Sequence, residues 1–169
     1  EKYLEETIQS VINQTYPNVE YVIIDGGSTD KTVSIINKYE NYIDYWVSEK
    51  DKGIYDAMNK GIYLSFGKGR LFLNAGDKFV GDILYPYLEI PSFLTVKYKR
   101  FGKLVTLKPK PIQKGLPYCH QGILFDRDNI FLYDTIYKYA ADYEYFIKKY
   151  KWKLNKFTLY SFNDSSFVY

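Results

Sequence analysis

The chain has 169 residues, 46% of them hydrophobic and 25% charged, with a formal net charge of +3. That length suits a single domain spanning residues 1–169 with a sizeable core, the composition excludes disorder, and the small positive excess makes no case for nucleic-acid binding. No apolar run approaches the roughly 18–20 residues that cross a bilayer, the charged opening from Glu1 to Glu6 does not read as a signal peptide, and the single cysteine, Cys119, excludes an internal disulfide and fits a reducing, cytoplasmic compartment.

Taken in chain order, Leu4, Ile8, Val11 and Ile12 fall on one face of a helix, which Thr15-Tyr16-Pro17-Asn18 breaks. Tyr21-Val22-Ile23-Ile24 is a continuous apolar run ending in Asp25, the pattern of a strand covered on both faces. Gly26 to Asp30 makes a tight turn, and Val33, Ile36 and Tyr39 mark a second helix. Ile43 to Val47 reads as a strand, and Ile54, Met58 and Ile62 as a third helical stripe. Leu71-Phe72-Leu73 predicts another buried strand, stopping at Asn74-Ala75-Gly76-Asp77. Beyond residue 90 the pattern loosens until Tyr143, Phe146, Ile147 and Tyr150 form a last helical stripe. Alternating strands and helices with short loops predict an α/β, mostly parallel sheet flanked by helices.

In such sheets ligands sit beyond the carboxyl ends of the strands. Asp25, Glu49, Asp51 and Asp77 lie at or just past those ends. Asp25 to Thr32 lacks the glycines of a phosphate-binding loop, and G-x-G-x-x-G is absent. An acidic strand end followed by glycines suits carboxylates that accept from ribose hydroxyls or a base N–H, the glycines letting a ligand approach the backbone. Asp30 is expected to cap the following helix. Asp77 taken alone reads equally well as a turn aspartate. Asp56, Asn59, Lys60 and Tyr63 share a polar helix face, with Asp56 and Lys60 spaced for an i,i+4 pair. Asp142 lies at a helix N-terminus, where the macrodipole favours the ionised form that a general base requires. Glu144 is spaced to pair with Lys148 and is the second candidate for that role.

Ser10 to Pro17, Ile23 to Asp30, Ser48 to Gly61 and Phe72 to Asp77 stand in the order of the blocks of the family-two glycosyltransferases, which the chain resembles from residue 3 to 77 and again from 115 to 150. The resemblance implies a GT-A (Rossmann-like) fold, a nucleotide-sugar donor such as a UDP-sugar, a divalent Mg²⁺ or Mn²⁺, transfer with inversion, and a role in cell-surface polysaccharide synthesis. It implies Asp77 as the metal residue and Asp142, in Ala140-Ala141-Asp142-Tyr143-Glu144, as the catalytic base. It places Asp25, Gly26, Ser28, Asp51, Gly53, Asn59, Gly76, His120 and Gln121 around the donor. Gly76 stands where the family often has an acid that contacts ribose. His120 also suits a hydrogen-bonded core position. With one His beside one Cys, a zinc site is not expected, and no partner set makes Cys119 a nucleophile.

Two departures stand out. The family begins with a buried strand ahead of the helix that opens this chain, and its loss would leave a hole in the sheet. Val80 to Tyr85 resembles a block that usually follows the metal aspartate at greater distance, so segments before Glu1 and near residues 78–80 are expected to be missing from the sequence. Two rival functions are a nucleotidyltransferase, which should show a Gly-rich basic loop, and a catalytically inactive binding or assembly module of the same fold. Basic and aromatic residues crowd Lys97 to Lys156. That crowding suits an ordinary solvated surface, or a saccharide or lipid-linked acceptor and peripheral association with the inner face of the membrane.

Overall fold

The computed structural model describes residues 1–84, 92–101, 103–107, 118–150 and 166–168. Helix α1 (Leu4–Ile12) leads to strand β1 (Val22–Asp25), helix α2 (Thr32–Lys38), strand β2 (Tyr45–Ser48) and helix α3 (Ile54–Leu64). Short strands β3 (Gly69–Arg70), β4 (Lys78–Val80) and β5 (Ser92–Phe93) follow, then β6 (Val96–Arg100), β7 (Lys103–Thr106) and β8 (Ile123–Asp126). Helix α4 (Ala141–Tyr150) and strand β9 (Ser166–Val168) complete the described elements.

The expected parallel pairing is found between β1 and β2, Asp25 standing opposite Ser48. The second half adds antiparallel ladders: β8 lies between β3 and β5, and a further sheet runs β4-β9-β6-β7, with only β6 and β9 parallel. Leu71-Phe72-Leu73, expected as a strand, makes no ladder; pairing stops at Arg70. Its apolar side chains still pack, Leu71 and Leu73 on one cluster and Phe72 on another. Apolarity therefore predicted burial here, while a strand also needs a neighbour to exchange backbone hydrogen bonds. Between Glu20–Val22 and Gly69–Leu73 lies a cavity of about 460 Å³, so the β1-β2 ribbon and the β3-β8-β5 sheet do not join edge to edge. None of Asp25, Asp51, Asp77 or Asp142 lines it.

Three buried clusters hold the elements. Leu4 and Ile8 of α1 meet Ile36, Tyr39 and Ile43. Val11 meets Phe79, Ile83, Leu94 and Val96. Met58 of α3 meets Ile123 and Phe125 of β8, Tyr133, and Ala141, Tyr145 and Phe146 of α4. Each large side chain so buried contributes about 1.5–3 kcal/mol, and the third cluster fixes α3 against α4. Met58, Ile62 and Phe146 face inward as expected, while the expected stripes differ at one residue in each helix. The inward face of α3 is Tyr55, Met58, Asn59 and Ile62 while Ile54 is exposed, and α4 buries Tyr145 and Phe146 while Ile147 faces out. Aromatic partners across the interface, not hydrophobicity alone, chose those faces. Among the described residues no helix is long and apolar enough to cross a membrane.

Candidate active site

Asp25 ends β1 and is buried. Its Oδ2 accepts from the Gly27 and Ser28 amides at 3.2 and 2.9 Å and from Ser48 Oγ at 2.6 Å, and its Oδ1 accepts from Ser28 Oγ at 2.6 Å. Burial pushes its pKa up, but the bonds from Ser28, Ser48 and Gly27 outweigh it and hold the carboxyl below its usual range. Asp25 thus shapes the exposed Gly26–Ser28 loop and fastens it to β2. Asp51 lies directly against that loop: a β-carbon on Gly26 would sit 2.6 Å from an Asp51 carboxylate oxygen. Asp51 Oδ1 in turn accepts from the Gly53 amide at 2.9 Å. Gly53 has φ +116 at the start of α3, a conformation that favours glycine. The loops after β1 and β2 therefore bring Asp25, Gly26, Ser28, Asp51 and Gly53 together.

The Asn74–Asp77 turn is built from α1. Thr7, a buried hydroxyl among apolar neighbours, donates to the Asp77 carbonyl at 2.8 Å and accepts from the Gly76 amide at 3.0 Å. Gly76 has φ +109. Asp77 is 6% exposed, Asn74 hydrogen-bonds its carboxyl, and its Oδ2 has no partner. Burial, exceeding the help from Asn74, pushes the pKa of Asp77 up to about 6. A buried carboxylate oxygen without a donor is what a hard cation completes, and Mg²⁺ or Mn²⁺ commonly binds one or two carboxylates plus phosphates and water. Among the described residues no three His, Cys, Asp or Glu side chains cluster to cage a metal by themselves. The residues present fit a cation shared with a bound diphosphate.

Asp142 is the second residue of α4, following Ala140, which adopts the left-handed φ of 63°. Its Oδ1 accepts from the Tyr143 amide at 2.9 Å and from the Tyr55 hydroxyl at 3.1 Å. The Tyr55 ring lies 5.6 Å from that of Tyr133. Tyr133 hydrogen-bonds His120 through its hydroxyl and stacks on Tyr145 at 5.1 Å.

Three sequence expectations need correction. Asn59, expected at the donor, has both ends of its amide committed to the Tyr133 backbone, at 2.8 and 2.9 Å. His120, also expected there, is 3% exposed and enclosed by Phe72, Phe125 and Tyr133. Burial, against a smaller upward pull from Asp142, brings its pKa down to about 4, so the imidazole is neutral near pH 7. Lys60 pairs with Glu49 at 2.8 Å, while Asp56 accepts from the Lys52 amide at 3.0 Å, just ahead of its helix. Gln121 is half-buried and accepts from the Cys119 thiol at 3.2 Å. Asp30 takes the Thr32 amide at 2.9 Å, and Glu144 pairs with Lys148, as the sequence indicated. Sequence reasoning passed over Thr7, Ser48, Tyr55 and Tyr133; only Thr7 carried a signal, a polar residue inside the apolar stripe of α1.

Comparison with known proteins identifies the family and the fold. Residues 1–86 match the model of Glycosyl transferase family 2. A Mycobacterium bovis protein, the PGL/p-HBAD biosynthesis glycosyltransferase, is 30% identical over 166 residues, covering 83% of this chain and 62% of that protein. An uncharacterized Mycobacterium tuberculosis glycosyltransferase is 43% identical over 91 residues, covering 53% of this chain and 35% of that protein. The chain thus spans between 35% and 62% of the length of these relatives. The S. aureus TarS 1-349 structure in complex with UDP superposes with a TM-score of 0.73 at 19% identity, covering 99% of this chain and 56% of that one. At that identity the likeness establishes the α/β GT-A fold. The family match over half the chain, with a 30%-identical relative along most of it, shows that the chain belongs to the family-two glycosyltransferases.

Proposed function

We propose that the protein transfers a sugar from a nucleotide-sugar donor, UDP-linked, to an acceptor hydroxyl, with inversion and with Mg²⁺ or Mn²⁺ held by Asp77. The observation that carries the cation assignment is the buried Asp77 oxygen left without a partner at the end of a turn braced by Thr7. Bound there, the cation would offset the negative charge that develops on the departing diphosphate. The Gly26–Ser28 loop, shaped by Asp25, and Asp51 beside it would bind the nucleoside. Asp142, in the first turn of α4, would receive the acceptor proton. The TarS structures with UDP and with UDP-GlcNAc support a nucleotide-sugar donor for this fold.

A saccharide or lipid-linked acceptor at the inner membrane face, in polysaccharide synthesis, fits the segment leading into Asp142, where Ile136 and Tyr139 are 85% and 86% exposed on either side of Lys138. Amphipathic residues of this kind sit well at a membrane surface or against a lipid chain. The test is calorimetric titration with UDP, with and without Mn²⁺, of the wild type and Asp77→Ala. Metal-dependent binding lost in the variant is expected. Absence of binding to UDP, GDP and dTDP under every metal condition would overturn the proposal.

A further inference from the structure

We propose that Tyr55 is a positioning residue for Asp142, holding one carboxylate oxygen so that the other is the one that takes the acceptor proton. The inference rests on the assignment of Asp142 as base. The residues sit 87 positions apart in sequence, yet the Tyr55 hydroxyl reaches Asp142 Oδ1 at 3.1 Å, the oxygen that also accepts the Tyr143 amide at 2.9 Å. A short carboxylate held only by its neighbour's amide keeps rotational freedom; a second donor arriving from another helix removes it. The phenol has one proton to donate, and Asp142 Oδ1 is the acceptor it reaches.

Tyr55 is itself held on both sides. Its ring packs on Tyr133, whose backbone is clamped by both ends of the Asn59 amide and whose ring stacks on Tyr145 of α4. Tyr55 also lies in the first turn of α3, two residues after Gly53, whose amide holds Asp51 and whose carbonyl accepts the Asp56 and Ala57 amides. One helix start thus carries both the donor-side carboxylate and the group that orients the base. In the transfer itself the acceptor O–H bond breaks and its proton passes to Asp142 Oδ2. The acceptor oxygen bonds the anomeric carbon, and the bond to the diphosphate breaks with its electron pair leaving on phosphate. A preset Oδ2 matters because a misplacement of about 1 Å at such a group costs on the order of 100-fold in rate.

The test is steady-state release of nucleoside diphosphate, with Mn²⁺ and water as acceptor, from whichever of UDP-glucose, UDP-galactose, UDP-N-acetylglucosamine or dTDP-rhamnose the wild type turns over fastest. Tyr55→Phe is expected to lower kcat about tenfold with donor KM changed less than about twofold, and Asp142→Asn to lower it on the order of 1000-fold. In the Asp142→Asn background, Tyr55→Phe should change kcat by less than about twofold, because its effect acts through that carboxylate. Incorporating 4-aminophenylalanine at position 55, which keeps a donor, should bring kcat back to within about threefold. Wild-type kcat in Tyr55→Phe, or a full further tenfold loss in the double variant, overturns the inference. Wild-type kcat in Asp142→Asn instead overturns the base assignment, and no turnover of any donor by the wild type overturns the proposed function. Thermal melts and UDP titration of each variant separate these outcomes from misfolding.

Discussion

Replacing Asp77 with asparagine isolates the energetic consequence of burying a carboxyl group whose outer oxygen has no donor. In the native protein Asp77 titrates at about 6, against 3.8 for the free group, because burial disfavours the ionised form. The native state therefore binds the Asp77 proton more tightly than the unfolded chain does. Below about pH 4 both states are protonated and the shift has no effect. As pH rises from 4 to 6 the unfolded state ionises first, so the wild type loses stability, and above about 6 the loss is complete. From 3.8 to about 6 the difference amounts to at most about 3 kcal/mol, from 1.36 kcal/mol for each tenfold change in proton affinity. Asparagine does not titrate, so any constant difference in packing cancels when the two proteins are compared across pH.

Urea unfolding of wild type and Asp77→Asn at pH 4, 5, 6, 7 and 8 measures this directly. The expected result is that wild-type stability falls relative to the variant by up to about 3 kcal/mol between pH 4 and 7, then levels off. At pH 7.5, Mn²⁺ with UDP should stabilise the wild type with the logarithm of ligand concentration and leave the variant unchanged. A stability difference that does not vary with pH would refute the argument that burial raises the pKa of Asp77. Equal stabilisation of both proteins by Mn²⁺ with UDP would remove Asp77 from the cation site.

Two further substitutions probe the close approaches that glycine permits. Gly26→Ala places a β-carbon 2.6 Å from the Asp51 carboxylate and must displace it, so calorimetry should show UDP affinity down at least about tenfold with the melting temperature little changed. Unchanged affinity would separate Asp51 from donor binding. Gly122→Ala places a β-carbon 2.4 Å from Val96 Cγ2 and 3.0 Å from the Leu94 carbonyl, both in a packed interior. Overpacking of this kind should destabilise by about 1–3 kcal/mol in urea unfolding, and a neutral result would mean the β5–β6 connection yields easily.

The residue pattern by itself determined the order of helices and strands through Leu64. It also placed three carboxylates of the candidate site relative to the elements: Asp25 ends an apolar strand, Asp51 follows one, and Asp142 opens a helix. Such features are legible because periodicity and strand-end loops are local properties of the chain. The Gly26–Asp51 approach was partly legible too, since glycines after an acidic strand end signal that something must come close.

Tertiary structure alone decided the rest. Leu71-Phe72-Leu73 has the apolarity of a strand but, among the described residues, no strand pairs with it, and a ladder is a property of two segments. Asn59 and Lys60 look like parts of one solvated helix face, yet one clamps Tyr133 and the other reaches Glu49. His120 suits either a core position or a donor contact in the sequence, and it is enclosed by Phe72, Phe125 and Tyr133. The unpartnered oxygen of Asp77 and the Tyr55–Asp142 bond depend on which groups lie across space, and nothing within a few residues of either position encodes that. Local sequence specifies which chemical groups the site holds; long-range packing of α3 against α4, and of α1 against the Asn74–Asp77 turn, specifies which of them are left free to react.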